Sequence, residues 1–112
     1  MISRSFIYSL HRAHDYPLSR HARLSANILS RLTSELDKHP LPYKIDVTHP
    51  YHLIVHCNRA ISIYAGGFDN RIDIMPLGVN GRPLNAKYER SFMTPIGAVN
   101  YILRKYGVKQ CH

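Results

Sequence analysis

One run of apolar residues at helical spacing, ended by two prolines, constrains the fold of this chain more than any other feature. Between positions 18 and 38, apolar side chains recur every three or four residues: Leu18, Ala22, Ala26, Leu29, Leu32 and Leu36. This spacing puts them along one side of an α-helix, which has to bury that side against another layer. Pro17 suits the start of such a helix, and Pro40 and Pro42 cannot continue it because proline lacks a backbone N–H. We therefore predict a helix over residues 18–38.

After the prolines the pattern changes to the alternation of polar and apolar residues that is typical of strands. Four segments alternate in this way or are rich in β-branched residues: 43–48, 52–57, 60–65 and 71–75. Residues that favour turns separate them: His49–Tyr51, Asn58–Arg59 and Gly66–Asn70. The sequence thus predicts a four-stranded antiparallel meander over residues 43–76. A fifth strand is expected after Asn80–Gly81, where Pro83 would confine it to a sheet edge.

A second helix is predicted over residues 94–106. Thr94 can cap it, Pro95 suits its first position, and Gly107 suits the position just after its end. Its apolar stripe is expected to consist of Ile96, Val99, Leu103 and Tyr106.

The first sixteen residues leave two alternatives open, an edge strand over Ser5–Leu10 or a short helix over Phe6–His14. The remaining elements predict a single domain over residues 1–112 of the α+β class. In it, an antiparallel four- to five-stranded meander carries an N-terminal and a C-terminal helix packed on one face. This arrangement leaves the other face and the sheet edges to solvent or to a partner, and a homodimer is one way to cover either.

The positive charge of the chain is unevenly distributed. The chain contains 15 Lys and Arg residues against 7 Asp and Glu, a net charge of +8 with neutral histidines. The net charge is +4 over residues 1–33, −1 over residues 34–81 and +5 over residues 82–112. We therefore expect a near-neutral sheet between two basic helical ends. The sign of the charge excludes a DNA mimic, and an apolar content of 45% argues against a disordered tail.

Rows of cations on a rigid helix are typical of proteins that contact a phosphate backbone, although a solvated helix face looks similar. Two functions follow. The first is a non-enzymatic basic protein that binds nucleic acid. The alternative is a small protein-binding inhibitor or adaptor, of phage or mobile-element accessory type, that docks its basic surface on an acidic or nucleic-acid-handling protein complex. The same candidate residues serve both functions: Arg20, Arg23, Arg31, Lys38, Arg104, Lys105 and Lys109.

Tyrosines supply a second set of candidates. The chain has eight tyrosines and no tryptophan. Tyr51 and Tyr64 lie on or beside predicted strands, where they could stack on bases or anchor a protein interface. The alternative is that large aromatic side chains complete the core of a small domain. That alternative applies to four tyrosines: Tyr43, Tyr64, Tyr101 and Tyr106.

The histidines and carboxylates do not predict a metal or catalytic site. In a strand His52 and His56 lie about 13 Å apart, too far for one zinc ion, and Cys57 points to the opposite face. His11 and His14 share a face if their segment is helical, but no third ligand is indicated. Phosphate-binding loops, nucleophile elbows and clustered carboxylates are absent from the sequence. We predict no metal, no cofactor and no enzymatic activity.

Targeting signals are also absent from the sequence pattern. The longest apolar runs fall well short of the roughly 18 residues that span a bilayer. The first apolar stretch is shorter than that of a signal peptide. We expect Cys57 and Cys111 to be free thiols, and the protein to be cytoplasmic and soluble, with no membrane partner.

Overall fold

The computed structural model describes residues 1–39, 43–57, 59–66, 71–78, 80–84 and 86–106, and of Thr48 and Ala86 only the backbone. The helices are α1 (Arg4–Ala13), α2 (Arg20–Leu36) and α3 (Pro95–Tyr106). The strands are β1 (Lys44–His49), β2 (His52–His56), β3 (Ala60–Ala65), β4 (Ile72–Pro76) and β5 (Arg90–Phe92). A 3₁₀ turn at Ala86–Tyr88 precedes β5. Several residues of the sequence predictions lie outside the described residues: Pro40, Pro42, Asn58, Gly67–Asn70, Gly107, Lys109 and Cys111.

The strands form one antiparallel sheet in which spatial order equals chain order, β1-β2-β3-β4-β5. The predicted meander is thereby confirmed. Its register sets Leu53 opposite Ile63 and Ile63 opposite Ile74, so apolar residues of neighbouring strands share one face. Between Asp46 and His49 the pairing of β1 with β2 is irregular. Such a bulge bends the strand and limits its regular edge to the first half.

The fifth strand lies later in the chain than the sequence predicted. Asn80–Gly81 does form a turn, in which Gly81 has a φ of +78°, a conformation that favours glycine. After this turn Pro83 forms an isolated bridge to Leu77 rather than a ladder, because proline has no N–H to donate. The strand that pairs with β4 is Arg90–Phe92, for which the sequence pattern is too short to be distinctive.

All three described helices lie on the same face of the sheet. α1 contacts β1, α2 contacts β3, and α3 contacts β4 and β5, so the helices lie side by side in chain order. The predicted packing of N- and C-terminal helices on one face is confirmed, with α1 as a third helix in the layer. Buried side chains of the helices and of one sheet face form the core: Ile7, Ala26, Leu29, Leu32, Leu36, Leu53, Val55, Ile61, Ile63, Ala65, Ile72, Ile74, Ala98, Val99, Ile102 and Tyr106.

Serine side chains set where the first two helices begin. Ser3 Oγ accepts from a backbone N–H of the first turn of α1 at 3.1 Å, which resolves the ambiguous first segment as a helix. Ser19 Oγ accepts from the Ala22 N–H at 3.2 Å, so α2 begins at Arg20. The prediction that Pro17 starts this helix is therefore wrong, and Leu18 is exposed instead of joining the buried stripe.

The start of α3 is confirmed, but its buried side differs from the prediction. Thr94 Oγ1 accepts from the Gly97 N–H at 3.0 Å, and Pro95 is the first helical residue. Ile96, which the sequence pattern assigns to the buried stripe, is 53% exposed, and Ile102 is buried in its place. Compared with the prediction, α3 is rotated about its axis so that Ala98 and Ile102 contact the core. The sequence could not decide this rotation, because two apolar stripes overlap on this helix.

Backbone and side-chain contacts fix the direction of each helix. We call the end of the sheet with the β1–β2 turn the Tyr51 end and the opposite end the Tyr106 end. Ser25 near the start of α2 donates to the Ala65 carbonyl at the Tyr51 end. Cys57 Sγ lies 3.4 Å from the Tyr106 carbonyl at the other end. α2 and α3 therefore run in the same direction, and α1, whose His11 contacts Tyr51, ends where α2 begins.

None of the described helices combines the length and hydropathy that crossing a membrane requires.

Candidate functional site

The excess of cations lies in the helices and not in the strands. The described helices contain seven cations against the single acid Glu35: Arg4, Arg12, Arg20, Arg23, Arg31, Arg104 and Lys105. All seven are exposed. The described strands contain two cations and two acids: Lys44, Arg90, Asp46 and Asp73. Because the helices share one face of the sheet, their outer surface is a basic layer, which we call the helix layer.

Three of the predicted binding residues form a row on α2. Arg20, Arg23 and Arg31 are exposed and lie opposite the buried stripe of that helix. From Arg20 to Arg31 the helix rises by about 17 Å. Arg4 of α1 donates from Nη1 to Asn27 Oδ1 at 3.1 Å, between these arginines, and so adds a cation from the neighbouring helix.

Lys38 differs from these arginines in two ways. It lies in the turn after α2, two residues beyond the last helical residue, Leu36. Its Nζ lies 2.9 Å from Glu35 Oε1, so its charge is paired with that of a neighbouring acid. The preceding residue, Asp37, binds the N-terminal ammonium at 2.5 Å. This end of α2 is therefore less basic than its start.

The predicted cations of α3 point in different directions. Arg104 is two residues from both Ile102 and Tyr106, which are buried, and therefore lies on the outer side of the helix. Its guanidinium carbon lies 5.7 Å from the centre of the Tyr101 ring. Lys105 follows Tyr101 by four residues and shares its side, which faces Phe92 of β5. Arg104 therefore points outward from the helix layer, while Lys105 lies at the border of that layer toward the β5 edge.

An apolar groove that the sequence did not predict separates α2 from the start of α3. It has a volume of about 610 Å³ and is lined by Leu24, Asn27, Ile28, Arg31, Met93, Thr94, Pro95 and Ile96. Met93 and Ile96 are both more than half exposed. The sequence pattern does not predict this groove, because it assigns Ile96 to the buried stripe of α3.

The two predicted aromatic anchors, Tyr51 and Tyr64, belong to a cluster of rings at the Tyr51 end. Their ring centres lie 6.5 Å apart, and Tyr64 is 45% exposed. Four further rings from α1, the segment after it and the end of β1 complete the cluster: His11, His14, Tyr16 and His49. The structure thus separates Tyr51 and Tyr64 from Lys38, Arg104 and Lys105, which lie at or toward the other end of the sheet.

His11 is the most unusual member of this cluster. It is fully buried, and neither ring nitrogen has a hydrogen-bond partner among the described residues. Its ring centre lies 5.1 Å from that of Tyr51, at an interplanar angle of 83°. Burial lowers the pKa of His11, and the nearby His49 and His14 lower it further by repulsion. The cluster therefore favours the neutral form of its central histidine.

Burial also shifts the pKa of His49 and Tyr51 in the cluster and of His52, which follows Tyr51 in the chain. It lowers the pKa of His49 and of His52, and it raises the pKa of Tyr51, with Tyr64 and Tyr16 adding to that rise. The sequence hinted at the cluster through the spacing of His11 and His14. The third histidine, His49, lies at the end of β1, far from the other two in sequence. No local pattern around His49 indicates that it joins them. In the part of the chain that the structure describes, no group of His, Cys, Asp or Glu could hold a metal ion.

Histidines on the uncovered face of the sheet bind neighbouring side chains. His52 Nε2 lies 2.6 Å from Ser62 Oγ, and His56 Nε2 lies 2.6 Å from Asp46 Oδ2. These separate partners agree with the prediction that two histidines four residues apart in a strand do not converge. The uncovered face thus carries polar pairs with little net charge.

The chain was compared with protein-family models, with curated proteins and with solved structures, and none of them matches it.

Proposed function

We propose that this protein is a non-enzymatic binding protein that contacts the phosphate backbone of nucleic acid through its helix layer. The observation that carries the proposal is the placement of seven exposed cations and one acid on three helices that share one sheet face. A layer of this kind attracts a polyanion over its whole width, whereas the same charges on opposite sides of the sheet would not.

The geometry of α2 supports this proposal. Arg20, Arg23 and Arg31 extend over about 17 Å, a length of duplex that carries about ten phosphate charges. Arginine suits such contacts because its planar guanidinium donates two parallel hydrogen bonds to a phosphate. Contacts to phosphates carry no sequence information, so we expect binding that tolerates different sequences. A cytoplasmic location belongs to the same proposal.

The experiment that tests this proposal measures salt dependence. A labelled 20-base-pair duplex and the corresponding single strand are titrated with the protein by fluorescence anisotropy between about 50 and 200 mM salt. The triple variant Arg20→Gln, Arg23→Gln, Arg31→Gln should weaken binding about tenfold or more. It should also reduce the slope of log K against log salt by about 2 to 3.

The matched control removes the same number of charges from outside the helix layer. Arg71, Arg82 and Lys87 are exposed and lie just before β4, in the turn after β4 and in the 3₁₀ turn. Changing these three to Gln should leave the slope nearly unchanged. Absence of binding to both duplex and single strand at 50 mM salt contradicts the proposal, as does an equal effect of the two triple variants.

The groove between α2 and α3 favours a second candidate, the docking of an acidic protein. Exposed apolar side chains beside an arginine are typical of protein interfaces, and Met93 and Ile96 flank the groove with Arg31. In a pull-down with nuclease treatment, a stoichiometric complex that Ile96→Ser abolishes supports this candidate. A complex that disappears on nuclease treatment supports nucleic-acid binding.

A further inference from the structure

The two edges of the sheet differ in length and in what covers them. β5 has three residues, and its first, Arg90, donates to the backbone carbonyls of Lys87 and Glu89 at 2.8 Å. β1 has six residues. A long edge strand presents unpaired backbone groups to another chain, and short or charged edges avoid this. β1 is therefore the edge at which the sheet can be extended.

The apolar side chains of β1 are incompletely covered. Ile45 and Val47 lie on the face of the sheet that the helices cover, yet both remain partly exposed. On the same face, Leu53 of β2, Ile63 of β3 and Ile74 of β4 are at most 1% exposed. The helices thus cover the middle of the sheet and leave the β1 edge open.

A second groove runs along this edge, between β1 and α1. It has a volume of about 440 Å³ and is lined by Ile2, Phe6, Ile45, Asp46 and Val47. Phe6 is 46% exposed although it is one of the largest apolar side chains of α1. An apolar groove beside a free strand edge offers both a backbone partner and an apolar surface to an incoming strand.

We propose that two copies of this protein pair through β1, antiparallel, about a twofold axis at Ile45. In this register Ile45 lies opposite Ile45 of the second copy. Lys44 then lies opposite Asp46 of the second copy, and the symmetry repeats this ion pair on the other side of the axis. Tyr43 lies opposite Val47 of the second copy on the covered face. The sheet becomes a ten-stranded sheet with all helices on one face.

Charge complementarity selects this register over its neighbours. A centre at Lys44 would set two lysines opposite each other, and a centre at Asp46 would set two carboxylates opposite each other. Like charges directly opposite in a sheet are destabilising. Asp46 already lies 2.6 Å from His56 through one oxygen, and a carboxylate can accept further hydrogen bonds. The irregularity between Asp46 and His49 ends the regular edge just beyond these pairs.

The second copy is the occupant that this edge fits best, because its own residues supply both halves of the ion pair. This inference goes beyond the proposed function and does not depend on it. In the dimer two helix layers would lie side by side on one surface, which would double the length of the basic layer.

Sedimentation equilibrium of nucleic-acid-free protein at about 0.15 M salt, from about 1 to 100 µM, tests this inference. We expect a monomer–dimer equilibrium whose dissociation constant rises about tenfold or more in Lys44→Glu and in Asp46→Lys, because each change sets like charges opposite each other. The double variant K44E/D46K exchanges the two charges and should restore dimerisation to within a few-fold of the original.

Arg90→Glu at the β5 edge makes the same change of net charge as Lys44→Glu and should leave dimerisation unchanged. Far-UV circular dichroism checks that each variant is folded. A protein that is monomeric at 100 µM overturns the inference. So does a dimer that the single variants leave intact, or one that the double variant does not restore.

Discussion

The two faces of the sheet differ in how far their side chains are buried and in the charge that lies over them. On the covered face, apolar residues of β2, β3 and β4 are almost fully buried under three helices, and the outer surface of those helices carries the cations. On the uncovered face, His52 bonds to Ser62, and Ser91 bonds to Asp73 at 2.6 Å, with little net charge. The helices therefore contribute both to the core and to the positive charge, while the uncovered face carries polar pairs and little net charge.

The largest expected effect is the difference in stability lost when a side chain is removed from each face. Ile63→Ala removes a fully buried side chain from the covered face and should lower the free energy of unfolding by about 2 to 5 kcal/mol. Ile54→Ala, one strand away on the uncovered face, removes a partly exposed side chain and should cost less than half as much. Urea unfolding of both variants gives the comparison. Equal losses would show that the uncovered face is buried in solution.

The next effect concerns the buried histidine of α1. His11→Leu removes a buried ring whose two nitrogens have no hydrogen-bond partner among the described residues, and it should raise the free energy of unfolding by about 1 to 3 kcal/mol. His52→Leu on the uncovered face removes a ring that bonds to Ser62 and should lower it by about 1 kcal/mol. If His11→Leu instead destabilises the protein, the ring has a partner that these contacts do not include.

The same variant changes the pH dependence of stability. The pKa of His11 is lowered in the folded protein, so the unfolded chain takes up the proton first as the pH falls. The contribution of neutral His11 is complete above its ordinary pKa of about 6.5 and is lost as the pH falls from there through the folded pKa. Urea unfolding at pH 7 and at pH 5 checks this. Between these pH values, the free energy of unfolding should fall less in His11→Leu than in the unchanged protein. An unchanged loss would assign the effect to His49 and His52, whose pKa values are also lowered.

A smaller effect is expected at the start of α2. Ser19→Ala removes the side chain that caps the Ala22 N–H and should cost about 1 kcal/mol. Ser19→Asp keeps an acceptor at this position and should retain most of the stability. Thermal unfolding of both variants distinguishes loss of the cap from loss of packing.

The smallest effect is expected on the uncovered face. Ser91→Ala removes an exposed hydrogen bond to Asp73, which Arg71 Nε also approaches at 3.2 Å. Exposed polar pairs contribute about 0 to 1 kcal/mol, so the change in urea midpoint should be close to the experimental error. A loss as large as that of Ser19→Ala would indicate that this face is covered.

Local patterns of the sequence were sufficient for α2, α3 and the first four strands, but not for α1, for β5 or for the rotation of α3. The stripe from Ala22 to Leu36 predicted α2 correctly, because buried apolar residues recur with the period of the helix. In α3 the spacing of Ile96, Val99 and Leu103 fitted a helix, but the rotation was wrong, since Ile102 and not Ile96 meets the core. Two apolar stripes on one short helix cannot be ranked without the partner surface.

The candidate sites show the same limit. The cations of α2 were predicted from their spacing, and Tyr51 and Tyr64 from their place beside strands. The cluster that joins them to His11 and His49 could not be predicted, because its members come from three separate elements. The ambiguous first segment had to be assigned as a helix before any of these contacts could be expected.

The sequence by itself determined α2, α3, the first four strands, the α+β class and the buried side of α2, because periodicity and turn residues act over short distances. It also determined the net charge of the chain, but not which charged residues lie together on one surface of the folded protein. The tertiary structure decided that the basic helices lie side by side on one sheet face and that β1 keeps an open edge. Those outcomes depend on which buried stripe packs on which strand, and contacts between distant residues leave no local pattern in the chain.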